Sequence, residues 1–113
     1  MRVWDLPVDG LCRNHLLAEH RELHAIWSVI VNRKKGYSRH PEVLRWHGKL
    51  GALYLRHEAQ KAEMLRRGYS HRSPLDRSQI PRRHGGWVQR TLVDPVSVQA
   101  RKIRDKRCEC DLG

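Results

Sequence analysis

Phenylalanine is absent from this chain, and four tryptophans and three tyrosines are its only large aromatic residues. So few ring platforms disfavour recognition by stacking successive bases, and shift any nucleic-acid contact toward phosphates met by arginine and lysine. Acidic residues are also scarce, 12 against 23 basic ones, giving a net charge of +11 and a pI near 10.4. The basic residues are spread along the chain rather than held in a tail, and such a surface favours a polyanion. Long apolar runs are missing. The longest, Ile26 to Val31, is interrupted by Ser28, too short for a membrane span, and no stretch reads as a signal peptide. Three cysteines, Cys12, Cys108 and Cys110, are an odd number without framework spacing. They argue against a secreted disulfide scaffold and for a reducing cytoplasm. Cys108-Glu-Cys110 could bind a metal or oxidise, but two ligands at a chain end are a weak signal. No repeat or low-complexity segment is present, and 113 residues suit one domain spanning 1–113 with a modest core.

What is present is concentrated between Leu11 and Lys35, where neither proline nor glycine interrupts a run of strong helix formers. At about 100° per residue, Leu11, Leu16, Leu23, Ile26, Trp27, Val29 and Ile30 share one broad arc. His15, Glu19 and Glu22 fall within that arc, while Arg13, His20, Arg21 and His24 take the opposite side. Carboxylates on an apolar face are costly unless paired. They are either core groups satisfied by arginines or members of a functional site. His20-x-x-x-His24 has the spacing of paired helical ligands. Both histidines fall on the polar side, however, and Glu22 is not where a metalloprotease needs it, so no metal is expected.

The block His15-Leu-Leu-Ala-Glu-His-Arg-Glu-Leu23 resembles the first helix of the pyrimidine-dimer DNA glycosylases, the family of the phage ultraviolet-repair endonuclease V. Met1-Arg-Val-Trp4, Glu63-Met-x-x-Arg-Gly-Tyr-x-His-x-Ser-Pro-Leu75, Ser78-Gln-Ile-Pro81 and Gln99-Ala-Arg101 follow in the family's order. The resemblance implies a monomeric, cofactor-free DNA glycosylase with abasic-site lyase activity, acting on ultraviolet-induced dimers in duplex DNA. It implies that the α-amine of Met1 is the nucleophile, retained because Arg2 blocks methionine removal, and that Glu22 is the catalytic carboxylate. It makes Arg2, Arg21 and Arg101 DNA-contacting residues and sets His15 beside the opened sugar. Ala25 stands where the family has an arginine, leaving that contact to Arg13 or the basic loop Arg33-Lys34-Lys35. The same chemistry on another damaged base, or a basic nucleic-acid-binding protein without chemistry, are the alternatives.

An all-α fold of about three helices with long irregular connections is expected. Met1 to Gly10 reads as an extended lead-in with Asp9 available as a cap, and the resemblance implies that it runs back across the first helix to deliver the α-amine to Glu22. The first helix ends near Asn32, and the loop 33–41 is basic and available to phosphate. A second helix after Pro41 is open to interruption at Gly48 or Gly51, and Arg66-Arg67-Gly68 closes it. His57 on its stripe reads as a core histidine. Residues 69–87 read as loop, and a third helix spans about Pro95 to Arg107.

Overall fold

The computed structural model describes residues 2–112. Its regular structure is helical: α1 (Arg13–Val31), α2 (Pro41–Leu44), α3 (Leu50–Arg66) and α4 (Val96–Arg104), with 3-10 turns at Val8–Gly10, Arg77–Gln79 and Arg82–His84. Among the described residues the only β pairing is an isolated bridge between Lys49 and Gly85. Among the described residues no helix is long and apolar enough to cross a membrane.

The boundaries follow local chemistry. Helix α1 begins at Arg13 with Cys12 as its N-cap residue, two residues later than the pattern suggests. The delay arises because Val8–Gly10 is already turned and Leu11 N–H donates to Val8 O (3.2 Å), so Asp9 does not cap the helix. At the other end Arg33 adopts φ 52° and Lys34 N–H reaches back to Val29 O (2.9 Å), satisfying terminal carbonyls. The expected second helix is two helices. His40 Nδ1 caps α2 by accepting from Glu42 N–H (3.1 Å), with Pro41 in the first position, where its missing N–H costs nothing. Gly48 then takes φ 78°, a conformation glycine adopts without penalty, and α3 starts two residues on. The loop closes over this break, since Gly86 N–H donates to Gly48 O (2.8 Å) and Gly86 O accepts from Ala52 N–H (2.9 Å).

Two apolar clusters form the interior. One joins Val3, Leu23, Ile26, Trp27, Ile30, Val43, Trp46, Leu50 and Leu53 from α1, α2 and α3. The other joins Trp4, Leu6, Leu11, Leu16, Met64, Ala100 and Ile103 and holds α4. Every apolar residue of the arc read from α1 is buried. The lead-in passes between the clusters, contributing Val3 to one and Trp4 to the other.

A polar seam separates them. Glu19 is 1% exposed. Its Oε1 accepts from Trp4 N–H (2.7 Å) and Arg56 Nη2 (3.0 Å). Its Oε2 accepts from Arg56 Nε (2.9 Å) and from Gln60 Nε2. Of the two carboxylates on the arc, Glu19 is thus the core group satisfied by an arginine. Glu42 repeats the arrangement, accepting from Val3 N–H (3.3 Å), Arg45 Nε (2.8 Å) and Trp46 Nε1 (3.2 Å). Further along, Glu63 pairs with Arg66 and Arg67, and Arg67 Nη2 donates to Leu11 O (2.6 Å), tying the end of α3 to the start of α1.

Removing Glu19 leaves a guanidinium, an amide and a backbone N–H without their acceptor, so Glu19→Ala should cost about 3 kcal/mol or more. Urea unfolding followed by circular dichroism measures it, and a loss below about 1 kcal/mol would contradict the buried-seam account. Hydrogen bonds from Arg66, and then Arg67 against an opposing effect of burial, hold the Glu63 carboxyl down at about 2 instead of its ordinary 4.5. A depressed carboxyl stabilises the fold fully above its unfolded value and loses that contribution as pH falls through the folded one. The unfolding midpoint should therefore drop between about pH 4.5 and 2, and more shallowly in Glu63→Gln.

Candidate active site

The start of the chain would ordinarily fray; here side chains from α1, from α2 and its C-cap, and from α4 grip residues 3–5. Besides the bonds to Glu19 and Glu42, Arg45 Nη2 donates to Val3 O (2.9 Å) and Arg45 Nη1 to Asp5 Oδ1 (3.0 Å). From α4, Gln99 Oε1 accepts from Asp5 N–H (2.8 Å) and Gln99 Nε2 donates to Asp5 Oδ2 (2.9 Å). Residues 2–6 therefore form a strap across α1, crossing it at Glu19. Gln99 enters the sequence reading only within the Gln99-Ala-Arg101 block and Arg45 not at all, because nothing in their spacing marks these nearly fully buried side chains as partners of a segment 40 to 94 residues away.

Glu22 lies on α1 three residues beyond that crossing. At about 100° per residue it sits at one margin of the buried arc, half-buried, and among the described residues its carboxylate has no hydrogen-bond or ion-pair partner. Met1, the expected nucleophile, lies outside the described residues. Arg2 is next to it, half-buried, with Nη2 2.7 Å from Asp94 Oδ2 and its guanidinium 4.7 Å from the Trp4 ring centre. Asp94 also receives Lys102 Nζ (2.7 Å); these bonds, Lys102 first and then Arg2, lower its pKa.

The remaining expected residues divide into groups. Arg33, Lys34 and Lys35 are exposed and line a recess of about 470 Å³ together with His47, Arg83 and His84. The loop after α1 and the turn at Arg82–His84 thus make one basic concavity. Its later half appears in the sequence only as extra charge in a loop. Arg21 and Arg101 are exposed, and their side chains have no partner among the described residues.

His15 is half-buried, with Nδ1 3.1 Å from Cys12 Sγ and 3.4 Å from Cys110 Sγ. One face of this imidazole therefore meets sulfur, leaving Nε2 for other contacts. Burial, then Lys106, against Glu19, lowers its pKa.

The polar-side assignment of His20 and His24 is incorrect. His20 is 6% exposed and His24 half-buried, because α3 and the segment 71–73 pack over that side of α1. They meet His57 and His71 there, with ring centres 4.7–5.2 Å apart. His57 is fully buried, as its stripe suggested. Burial, reinforced by the neighbouring imidazoles, pushes His24 down to about 4.

No curated protein and no solved structure matches the chain. The family model described as pyrimidine dimer DNA glycosylase matches residues 1–77, which contain the strap, α1, the basic loop, α2 and α3. The chain belongs to the pyrimidine dimer DNA glycosylase family.

Proposed function

We propose that this glycosylase also cleaves the strand it acts on, as an abasic-site lyase working through an imine between the α-amine of Met1 and the sugar of an ultraviolet-damaged duplex. The observation that carries the reading is the strap. Three consecutive residues, Val3, Trp4 and Asp5, are bonded by Glu42, Glu19 and Gln99, and Glu22, three residues along α1 from the Trp4 contact, is half-buried with no partner among the described residues.

The chemistry favours a terminal amine. An α-amine has a pKa of about 7.7–8.0 against about 10.4 for lysine, so near pH 7.5 roughly a third of α-amines are free bases against about one lysine in a thousand. The amine lone pair attacks C1′, the bond from C1′ to the base nitrogen breaks, and the base leaves with the bonding pair and takes up a proton. Opening of the sugar ring gives the imine. Loss of a C2′ proton then expels the 3′ phosphate by β-elimination. Glu22 is suited to accept the proton of the attacking amine, to stabilise positive charge developing on the sugar, and to take the C2′ proton. None of these steps requires a metal or organic cofactor.

Arg21, Arg101, Arg2 and the Arg33–Lys35 loop supply cations for the phosphates, and His15 can reach the sugar through Nε2. A dimer already weakens pairing, which lowers the cost of bending the duplex and extruding a base. The catalytic reading prevails over a purely binding one because net charge alone does not call for a half-buried carboxylate, on the helix that the strap crosses, with no partner among the described residues.

Borohydride trapping tests this. Untagged protein, reduced in the presence of a duplex with one thymine dimer, should give a covalent species that maps to Met1 and disappears after N-terminal acetylation. Glu22→Gln should slow turnover by about 10²-fold or more with an unchanged melting temperature. Trapping on an abasic duplex alone would reassign the substrate to another lesion, and trapping on neither would overturn the imine reading. Each of Lys34→Ala and Arg21→Ala should reduce the slope of log K against log salt by about 1.

A further inference from the structure

We propose that His20, His24, His57 and His71 bind one divalent transition-metal ion, zinc being the first candidate. A ring nitrogen of each lies within 4.8 Å of one from every other. Four imidazoles bonded tetrahedrally at about 2.0–2.1 Å would set their ring centres about 5 Å apart, as these are.

Hydrogen bonding fixes the protons accordingly. Gln60 gives its Nε2 to Glu19, so its Oε1 must accept from His20 Nδ1–H (2.8 Å), leaving a lone pair on His20 Nε2 with the Ser73 hydroxyl 3.2 Å away. His57 Nδ1 donates to Glu58 Oε1 (3.0 Å), which leaves its Nε2 lone pair facing the carbonyl of Ser73 at 3.1 Å. Two lone pairs at that distance repel. The Nε2 atoms of His24 and His71 are buried and have no hydrogen-bond partner among the described residues. A protonated His57 would satisfy its own contacts, but it would leave both orphans and add charge beside three imidazoles. A cation accepting the lone pairs resolves the His57 contact and both orphans together, with the Ser73 hydroxyl released from His20 Nε2. Carboxylate and amide partners on the far nitrogens are what metal-bound histidines use for orientation, and imidazole donors suit zinc, copper, nickel and iron.

The geometry points to a second centre of different chemistry, in which Cys12, His15, Cys108 and Cys110 hold zinc through three thiolates and one imidazole. Their donor atoms also lie within 4.8 Å of one another. The separations from His15 Nδ1 to Cys12 and Cys110 sulfur, 3.1 and 3.4 Å, approach the edges of about 3.3–3.8 Å expected for a tetrahedral zinc site. Cys12 caps α1, where the helix N-terminus favours a thiolate, and Cys12 N–H donates to Cys110 sulfur (2.9 Å). Residues 108–112 have no regular structure, yet Asp111 N–H donates to Gly10 O (2.7 Å). A Cβ on Gly10 would stand 2.2 Å from Asp111 O, so the tail is seated against the first turn without a side chain between them. Ligation would supply the energy that fixes this tail.

Metal analysis of untagged protein grown with zinc should give two ions per chain. Cys108→Ser/Cys110→Ser and His24→Ala/His71→Ala should each lower this to one. Cobalt(II) substitution should give a sulfur-to-cobalt charge-transfer band in the wild type and the histidine variant, absent in the cysteine variant. If either variant fails to fold, zinc X-ray absorption of the unmutated protein decides: three sulfur and five nitrogen scatterers shared over two ions are expected. A shell without sulfur, or native protein whose three thiols all react freely or include a disulfide, overturns the thiolate centre. A single ion ligated mostly by sulfur, or zinc content unchanged in a folded histidine variant, overturns the imidazole centre. None of these readouts depends on glycosylase or lyase activity.

Discussion

The carboxylate of Glu19 is the constraint on which the rest of the molecule depends. It is buried between two apolar clusters, where an unpaired charge would not be tolerated, and its four hydrogen bonds draw three separate pieces of chain to one point. Trp4 brings the strap, and Arg56 and Gln60 bring α3 against α1. The same bonds orient Gln60, and Gln60 in turn orients His20. One charge near the middle of α1 therefore sets the position of the chain start on one side of the helix and of the imidazole cluster on the other. Glu42 and Arg45 perform the matching task for the strap's outer end.

Function in this fold is arranged around a division of labour among acids that are few in number. Glu19, Glu42 and Glu63 are committed to arginines and the backbone, so their charges are spent internally. Glu22, one turn from Glu19 on the same helix, is left unpaired among the described residues. With 23 basic residues in the chain, a carboxylate without a cationic partner is unusual, and its neighbour on the surface, Arg21, points to solvent. The basic concavity at Arg33–Lys35 and Arg83 is separate from these buried pairs and free to meet phosphate.

Much of this was legible in the sequence. The uninterrupted stretch from Leu11 to Lys35 announced α1, and its apolar arc is the buried one. The glycines at 48 and 68 marked the break before α3 and its end, where both take positive φ. The family, its glycosylase activity and the all-α class followed from motif blocks. What failed was periodicity beyond a single helix. A helical wheel assigns His20 and His24 to a polar side, but it cannot know that α3 and residues 71–73 cover that side. Nor can spacing show that Cys12 meets a tail 96 residues later, or that Gln99 bonds Asp5. Such contacts depend on the way the helices pack, and no local pattern encodes them.

The bond between Asp5 and Gln99 has a kinetic consequence. A strap whose partners lie 15, 39 and 94 residues downstream cannot close completely until nearly the whole chain has been synthesised, because the last of these contacts requires closing a long loop. During synthesis α1 and α3 can pair early and take up Trp4 through Glu19, whereas Asp5 waits for α4 to dock. The segment made first is thus the last to be secured, and the region around Glu22 is completed only when the fold itself is.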